Sequence, residues 1–202
     1  MSIKRRLLPL LVLLTLVFPN FISSSHAADG GQASPKGKVE NVVGFKLGGY
    51  FPQSSELENF DIEGHGEASV GWNLSQHFGI GSAVGIFRTS NTVNVANTSI
   101  DQTVKSAYLI LNATLMIPVG AFVPYVEGGG GYYLTDIEES SSIASNSEDD
   151  TSFGYHAGAG LNWFFTKDYY IGVGGRYIWT KTDDLDLELD GVLADVNLGF
   201  RF

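Results

Sequence analysis

The chain ends on Val192, Ala194, Val196, Leu198, Phe200 and Phe202, six apolar residues at strict two-residue spacing. Between them stand Leu193, Asp195, Asn197, Gly199 and Arg201, a mostly small and polar set. Such alternation writes a β-strand with one oily face and one polar face. The pattern recurs upstream and predicts eight strands, at residues 42–51, 65–74, 78–89, 104–117, 122–134, 152–164, 169–180 and 191–202. In the first, Phe45, Leu47 and Phe51 alternate with Lys46, Gly48 and Tyr50. In the sixth, Phe153, Tyr155, Ala157, Ala159, Leu161 and Trp163 oppose Gly154, His156, Gly158, Gly160 and Asn162. Most of these segments reach the ~9 to 11 residues with which a tilted strand crosses a bilayer. An even number of them can close without a free edge, which hydrocarbon demands. The expected fold class is all-β, an eight-stranded antiparallel transmembrane β-barrel in up-and-down order. The alternation by itself also fits an edge or sandwich strand of a water-soluble β protein.

The connections separate the two. Short links fall at 75–77, 118–121 and 166–168, and long polar ones at 52–64, 90–103, 135–151 and 181–190. A strict short-long rhythm is the asymmetry of bacterial outer-membrane barrels, with short periplasmic turns and long external loops. A sandwich has no need of it. The eighth strand could also begin as early as Leu185, where Leu185, Leu187 and Leu189 alternate with acidic residues.

The N-terminal segment sets the compartment. Lys4, Arg5 and Arg6 precede an apolar run from Leu7 to Phe18, and Ser25-His26-Ala27 supplies small residues where a signal peptidase reads. This is the form of a secretory signal peptide, residues 1–27, cleaved after Ala27. The run is interrupted by Pro9 and is shorter than the ~20 residues of a spanning helix, which argues against an uncleaved anchor. Residues 28–41 then read as a periplasmic leader and 42–202 as the barrel domain, placed in the bacterial outer membrane.

Composition narrows the chemistry. With no cysteine there is neither a disulfide framework nor a thiolate. Removing Lys4, Arg5 and Arg6 leaves nine of the 12 basic residues against all 22 acidic ones, so nucleic acid is excluded as a partner for want of a basic patch. No cofactor motif is found. The Gly128–Gly131 tract lacks the following helix start and Lys, Ser or Thr of a phosphate loop, and reads as room for bulky neighbours such as Tyr125 and Tyr133. Trp72, Trp163, Trp179, Tyr169 and Tyr177 fall near strand ends, where amphipathic rings settle at a membrane interface.

The signal peptide, the Gly-Tyr-Phe-Pro of residues 49–52, the Pro124-Tyr125 pair followed by glycines, and the terminal Phe202 together resemble the small outer-membrane β-barrel family. That family includes OmpX- and OmpW-type proteins and the opacity-like porins, and the resemblance spans the whole mature chain. It implies outer-membrane lipid and lipopolysaccharide as surroundings. It also implies that Phe200 and Phe202 form the assembly signal read by the barrel-assembly machinery.

The register places Lys46, Glu67, Arg88, Glu127, His156, Arg176 and Asp195 inside the barrel as a luminal polar network, with Arg201 at its end. A cation facing lipid at the midplane would cost about 2 to 4 kcal/mol. Lys46 is expected to pair with Glu67 or Asp195, and Glu127 with Arg176 across the lumen. Ion pairs filling a narrow lumen are one reading of the set; a solute path or ligand site is the other. Some barrels of this size act on lipid A, and the lipid A deacylases use a serine activated by a histidine. Here His156 is followed by Ala157 and Gly158, so the nucleophile of a His-x-Ser pattern is missing and no catalytic residue is assigned.

The acidic connections remain. The third carries Asp136, Glu138, Glu139, Glu148, Asp149 and Asp150, and the fourth Asp183, Asp184, Asp186, Glu188 and Asp190. Neither has the twelve-residue spacing of a calcium loop, so no metal site is assigned and they read as solvated surface or as a contact for partners. The expected function is a non-enzymatic barrel with a structural or surface-interaction role. The alternatives are a narrow channel for small apolar or cationic solutes, as likeness to the OmpW type implies, and a lipid A-modifying enzyme.

Overall fold

A computed structural model describes residues 39–54, 61–95, 98–141, 145–180 and 188–202. The signal peptide at 1–27 and nearly all of the leader at 28–41 lie outside the described residues. Eight strands follow in order: β1 (Glu40–Pro52), β2 (Glu63–Asn73), β3 (Phe78–Val95), β4 (Thr98–Met116), β5 (Phe122–Ser141), β6 (Ser145–Phe164), β7 (Tyr169–Thr180) and β8 (Gly191–Arg201). Each pairs antiparallel with its neighbour in sequence, and β8 pairs with β1 to close the barrel. The last residue joins the closure, because Phe202 and Asn41 exchange both backbone hydrogen bonds at 2.9 Å.

The register fixes the barrel's shape. The row of cross-strand partners runs Glu40, Asn73, Gly79, Thr114, Glu127, Gly158, Arg176, Leu193 and back to Tyr50 on β1. It returns ten residues further along the strand where it began. For eight strands, that stagger corresponds to a tilt of about 40° and a backbone radius of about 8 Å. Such a lumen holds side chains and little else.

Three tight turns join the strands at one end. Ser75 Oγ accepts from the backbone N–H of His77 and Phe78 at 3.2 and 3.0 Å. Thr166 Oγ1 does the same for Asp168 and Tyr169 at 3.3 and 2.9 Å. Between them, Val119 and Phe122 exchange hydrogen bonds around Gly120, whose φ of 63° is the left-handed conformation a two-residue hairpin asks for.

At the other end the structure departs from expectation. Residues 90–103 and 135–151, expected as loops, are largely strand: β3 and β4 stay paired out to Val95 and Thr98, and β5 and β6 out to Ser140 and Ser145. Beyond the bilayer neither face needs to be apolar, so the two-residue hydrophobic signal stops while the backbone ladder continues. The β-branched content of 89–104, with Thr89, Thr92, Val93, Val95, Ile100 and Val104, suits an extended backbone. The hairpins rise about 20 Å past the membrane boundary at ~3.3 Å per residue and this tilt.

Outside, the barrel shows hydrocarbon-like side chains. Leu47, Ile86, Leu111 and Leu198 are each more than half exposed, an arrangement that water would penalise and lipid rewards. Aromatic rings bound this band. Phe122, Trp163, Phe165, Tyr169, Phe200 and Phe202 cluster on the turn side. Tyr132, Phe153, Tyr155, Tyr177 and Trp179 cluster on the hairpin side. Trp163 and Phe153 stand ten residues apart on β6, which at this tilt spans about 25 Å, the height of an outer-membrane apolar band.

Inside, tyrosines lie on glycines. Tyr108 is the cross-strand partner of Gly85, Tyr125 of Gly160 and Tyr170 of Gly199. A Cβ added at any of the three glycines would collide with that tyrosine's ring. The small residue on one strand is therefore the seat of the large ring on the next, which lets bulky side chains fit a lumen this narrow.

Candidate functional site: the luminal charge cluster

Four charged side chains from four strands meet at the barrel's centre. Arg176 on β7 reaches across the lumen to Glu67 on β2, with Nη1 donating to Oε2 at 2.6 Å and Nη2 to Oε1 at 3.3 Å. It also donates to Glu127 Oε1 on β5, from Nε at 3.0 Å and Nη2 at 2.8 Å. Lys46 on β1 bridges the same two carboxylates, 3.3 Å from Glu67 and 3.2 Å from Glu127. Two cations thus balance two carboxylates. A planar guanidinium suits this because its fork of donors can serve two carboxylates at once. Arg176 is only 2% exposed and Glu67 5%, so bulk water screens neither.

The cluster is tied to the layer above it. Tyr108 donates its hydroxyl to Glu67 Oε2 at 2.7 Å, and the same hydroxyl lies 2.6 Å from His65 Nε2. Tyr50, Phe87, Tyr108, Tyr133, Ile110, Ile178 and Leu193, each at most 2% exposed, pack over the charges and fill the hairpin-side half of the lumen. Their rings follow one another at 4.3 Å for Tyr50 and Phe87, and 5.5 Å for Tyr108 and Tyr133. Below the cluster a cavity of about 130 Å³ lies towards the turn side, lined in part by Asn112, Tyr125, Asn162, Tyr170 and Asn197. At its mouth Arg201 sits over the Phe164 ring, 4.5 Å from the centroid.

Among the residues picked out from sequence, Lys46, Glu67, Glu127 and Arg176 therefore come together. His156 and Asp195 also face the lumen but stand apart from the ion pairs; neither nitrogen of His156 has a hydrogen-bond partner among the described residues. Asp195 does not pair with Lys46. Arg88 is a correction: it stands on the outward side of β3, half exposed, and pairs with Glu63 at 3.0 Å. The stagger of the strands brings it roughly level with Phe153 in the hairpin-side girdle, where the cost of a lipid-facing cation falls to about 0–1 kcal/mol. The demand for inward placement does not reach that height. Trp163 sits in the turn-side girdle, and Tyr177 and Trp179 in the hairpin-side one, their ring centroids 4.7 Å apart; Trp72 is half-buried near the turn-side end of β2. Of the acidic connections, Glu138 pairs with Lys105 at 2.6 Å, while Asp183, Asp184 and Asp186 lie outside the described residues.

Sequence reasoning missed His65, Tyr108 and Tyr125. The signal was present, because all three sit on the inward parity of their strands. Tyrosine was read as a packing or interface residue, and parity alone does not tell which inward hydroxyl meets a carboxylate.

A closed eight-stranded up-and-down barrel with an apolar outer band, two aromatic girdles and a polar centre defines an outer-membrane β-barrel. Residues 13–202 match the model of the outer membrane protein beta-barrel domain, and the chain belongs to that family. The N-terminal β-barrel domain of Pseudomonas aeruginosa OprF is structurally similar, at 17% identity and a TM-score of 0.53, covering 83% of this chain and all of that one. P. aeruginosa OprG gives 14% identity and a TM-score of 0.54, over 83% of this chain and 97% of that chain. Ail, the attachment invasion locus protein of Yersinia pestis, crystallised with the heparin analogue sucrose octasulfate, gives 19% identity and 0.51, over 83% and 100%. These likenesses are of fold. Comparison with curated protein sequences gives no significant match. The family places the chain in the bacterial outer membrane.

Proposed function

We propose that this protein is a non-enzymatic outer-membrane barrel whose lumen is a structural plug and whose activity is exercised by its external hairpins. The observation that carries the reading is the cross-lumen cluster of Arg176, Lys46, Glu67 and Glu127, capped by a fully buried aromatic layer. A lumen filled in this way favours rigidity over transport. The hairpins β3–β4 and β5–β6 supply a stiff surface outside the membrane, and the acidic residues of 135–151 favour a cationic partner over a polyanion of the kind bound by Ail. Against catalysis stands His156, which lacks a hydroxyl or carboxylate partner among the described residues. Lipopolysaccharide around the barrel, cleavage after Ala27, and recognition of Phe200 and Phe202 by the assembly machinery complete the proposal.

The test is conductance of the refolded mature chain in planar bilayers. The proposal expects no steady single-channel steps. Steps in the wild type that Lys46→Ala or Arg176→Ala alters would replace it with the channel reading, for small apolar or cationic solutes. Loss of an acyl chain from lipid A on expression of the folded barrel would replace it with the enzyme.

A further inference from the structure

Asp195 is the carboxylate left over by the luminal charge balance. Arg176 and Lys46 are both taken up by Glu67 and Glu127, and Asp195, 9% exposed, has an Oδ1 with no hydrogen-bond partner among the described residues. A buried carboxylate without a counter-charge is costly. Its surroundings are of one chemical kind. Asn162 on β6 and Asn197 on β8 are the cross-strand partners of Gly172 on β7, and a Cβ placed on Gly172 would strike the Oδ1 atoms of both. Neither oxygen has a hydrogen-bond partner among the described residues, and Asn197 is 4% exposed. Asn197 turns its Nδ2 to the Tyr125 hydroxyl at 3.5 Å, which leaves Oδ1 over the glycine. One step along β7, a Cβ on Gly174 would come 2.7 Å from Tyr125 Oη and 3.3 Å from Asp195 Oδ1.

The Asn162 and Asn197 oxygens thus lie over Gly172, and the Tyr125 hydroxyl and Asp195 Oδ1 over Gly174, two glycines on the same face of β7. Asn162, Asn197 and Tyr125 also line the cavity on the turn side of the charge cluster. We propose that the nook over Gly172 and Gly174 binds a small monovalent cation, an alkali ion or a primary ammonium. Neutral amide oxygens with one carboxylate are hard ligands that carry a single negative charge, which matches a monovalent ion. Sites for calcium draw on several carboxylates. Bound there, the cation neutralises Asp195 and ties β6 to β8 across the glycine-rich β7.

The experiment is sodium-23 NMR relaxation of the mature barrel refolded in non-ionic detergent, titrated with sodium chloride. Folding of each variant is verified by heat-dependent gel mobility. The wild type is expected to show saturable excess relaxation. Asp195→Asn, which keeps the shape and removes the charge, should lose at least four-fifths of it, and Asn162→Ala, which leaves the carboxylate in place, at least half. Displacement by both potassium and methylammonium would assign monovalent cations at large, and displacement by potassium alone would assign alkali ions. Excess relaxation that does not saturate, or that is unchanged in Asp195→Asn or in Asn162→Ala, would overturn the proposal.

Discussion

Arg176→Met removes the guanidinium that, beside Lys46, holds Glu67 and Glu127 together. The guanidinium makes four hydrogen bonds to these carboxylates, of 2.6 to 3.3 Å, and with it gone Lys46 alone faces two negative charges. Breaking a buried ion pair by deleting one partner costs about 3–5 kcal/mol, most of it the burial of the orphaned charge. Measured as urea unfolding of the barrel in lipid vesicles by tryptophan fluorescence, this amounts to a midpoint lower by roughly 2 M at a slope of about 2 kcal/mol/M. The cause is identified by the neutral set, in which Lys46→Met, Glu67→Gln, Glu127→Gln and Arg176→Met are combined. Without orphaned charges it should recover to within about 2 kcal/mol of the wild type, since apolar or neutral replacement of a whole buried cluster is often neutral. A loss below about 1 kcal/mol for Arg176→Met, or a neutral set worse than the single variant, would refute the reasoning that pairing is what makes these charges tolerable.

Leu111, two-thirds exposed near the middle of the lipid-facing band, should cost about 2–4 kcal/mol as Leu111→Arg in vesicle unfolding; indifference would mean that this face does not meet hydrocarbon. Gly199→Val should lower stability by about 1–3 kcal/mol through overpacking against Tyr170, and Tyr170→Ala in the same chain should recover part of it, read on heat-dependent gels. Deleting Phe202 removes the two backbone hydrogen bonds to Asn41 and the ring stacked on Phe200, and should leave little folded protein in isolated outer membranes; normal yield would count against an assembly role for the terminus.

The alternation of residues determined by itself that this chain forms eight strands and which face of most of them is oily, since a strand's two faces are written at every second residue; on β3 it put Arg88 inside, where the structure turns it outward. β7 and β8 begin where that pattern places them, at Tyr169 and Gly191. Past the membrane the same pattern fell silent, so the continuation of β3 to Val95 and of β6 back to Ser145 emerged only from the paired backbones. Inward parity named Lys46, Glu67, Glu127 and Arg176, yet it could not say that Arg176 reaches Glu67 across the lumen and Asp195 is left aside. Those choices depend on the ten-residue stagger, a property of the closed ring that no single strand records. The stagger also brings Arg88 level with the girdle and Asn162 and Asn197 to opposite sides of Gly172. Periodicity is local and reaches the sequence; the height and azimuth of a side chain in a closed barrel are set by all eight registers together.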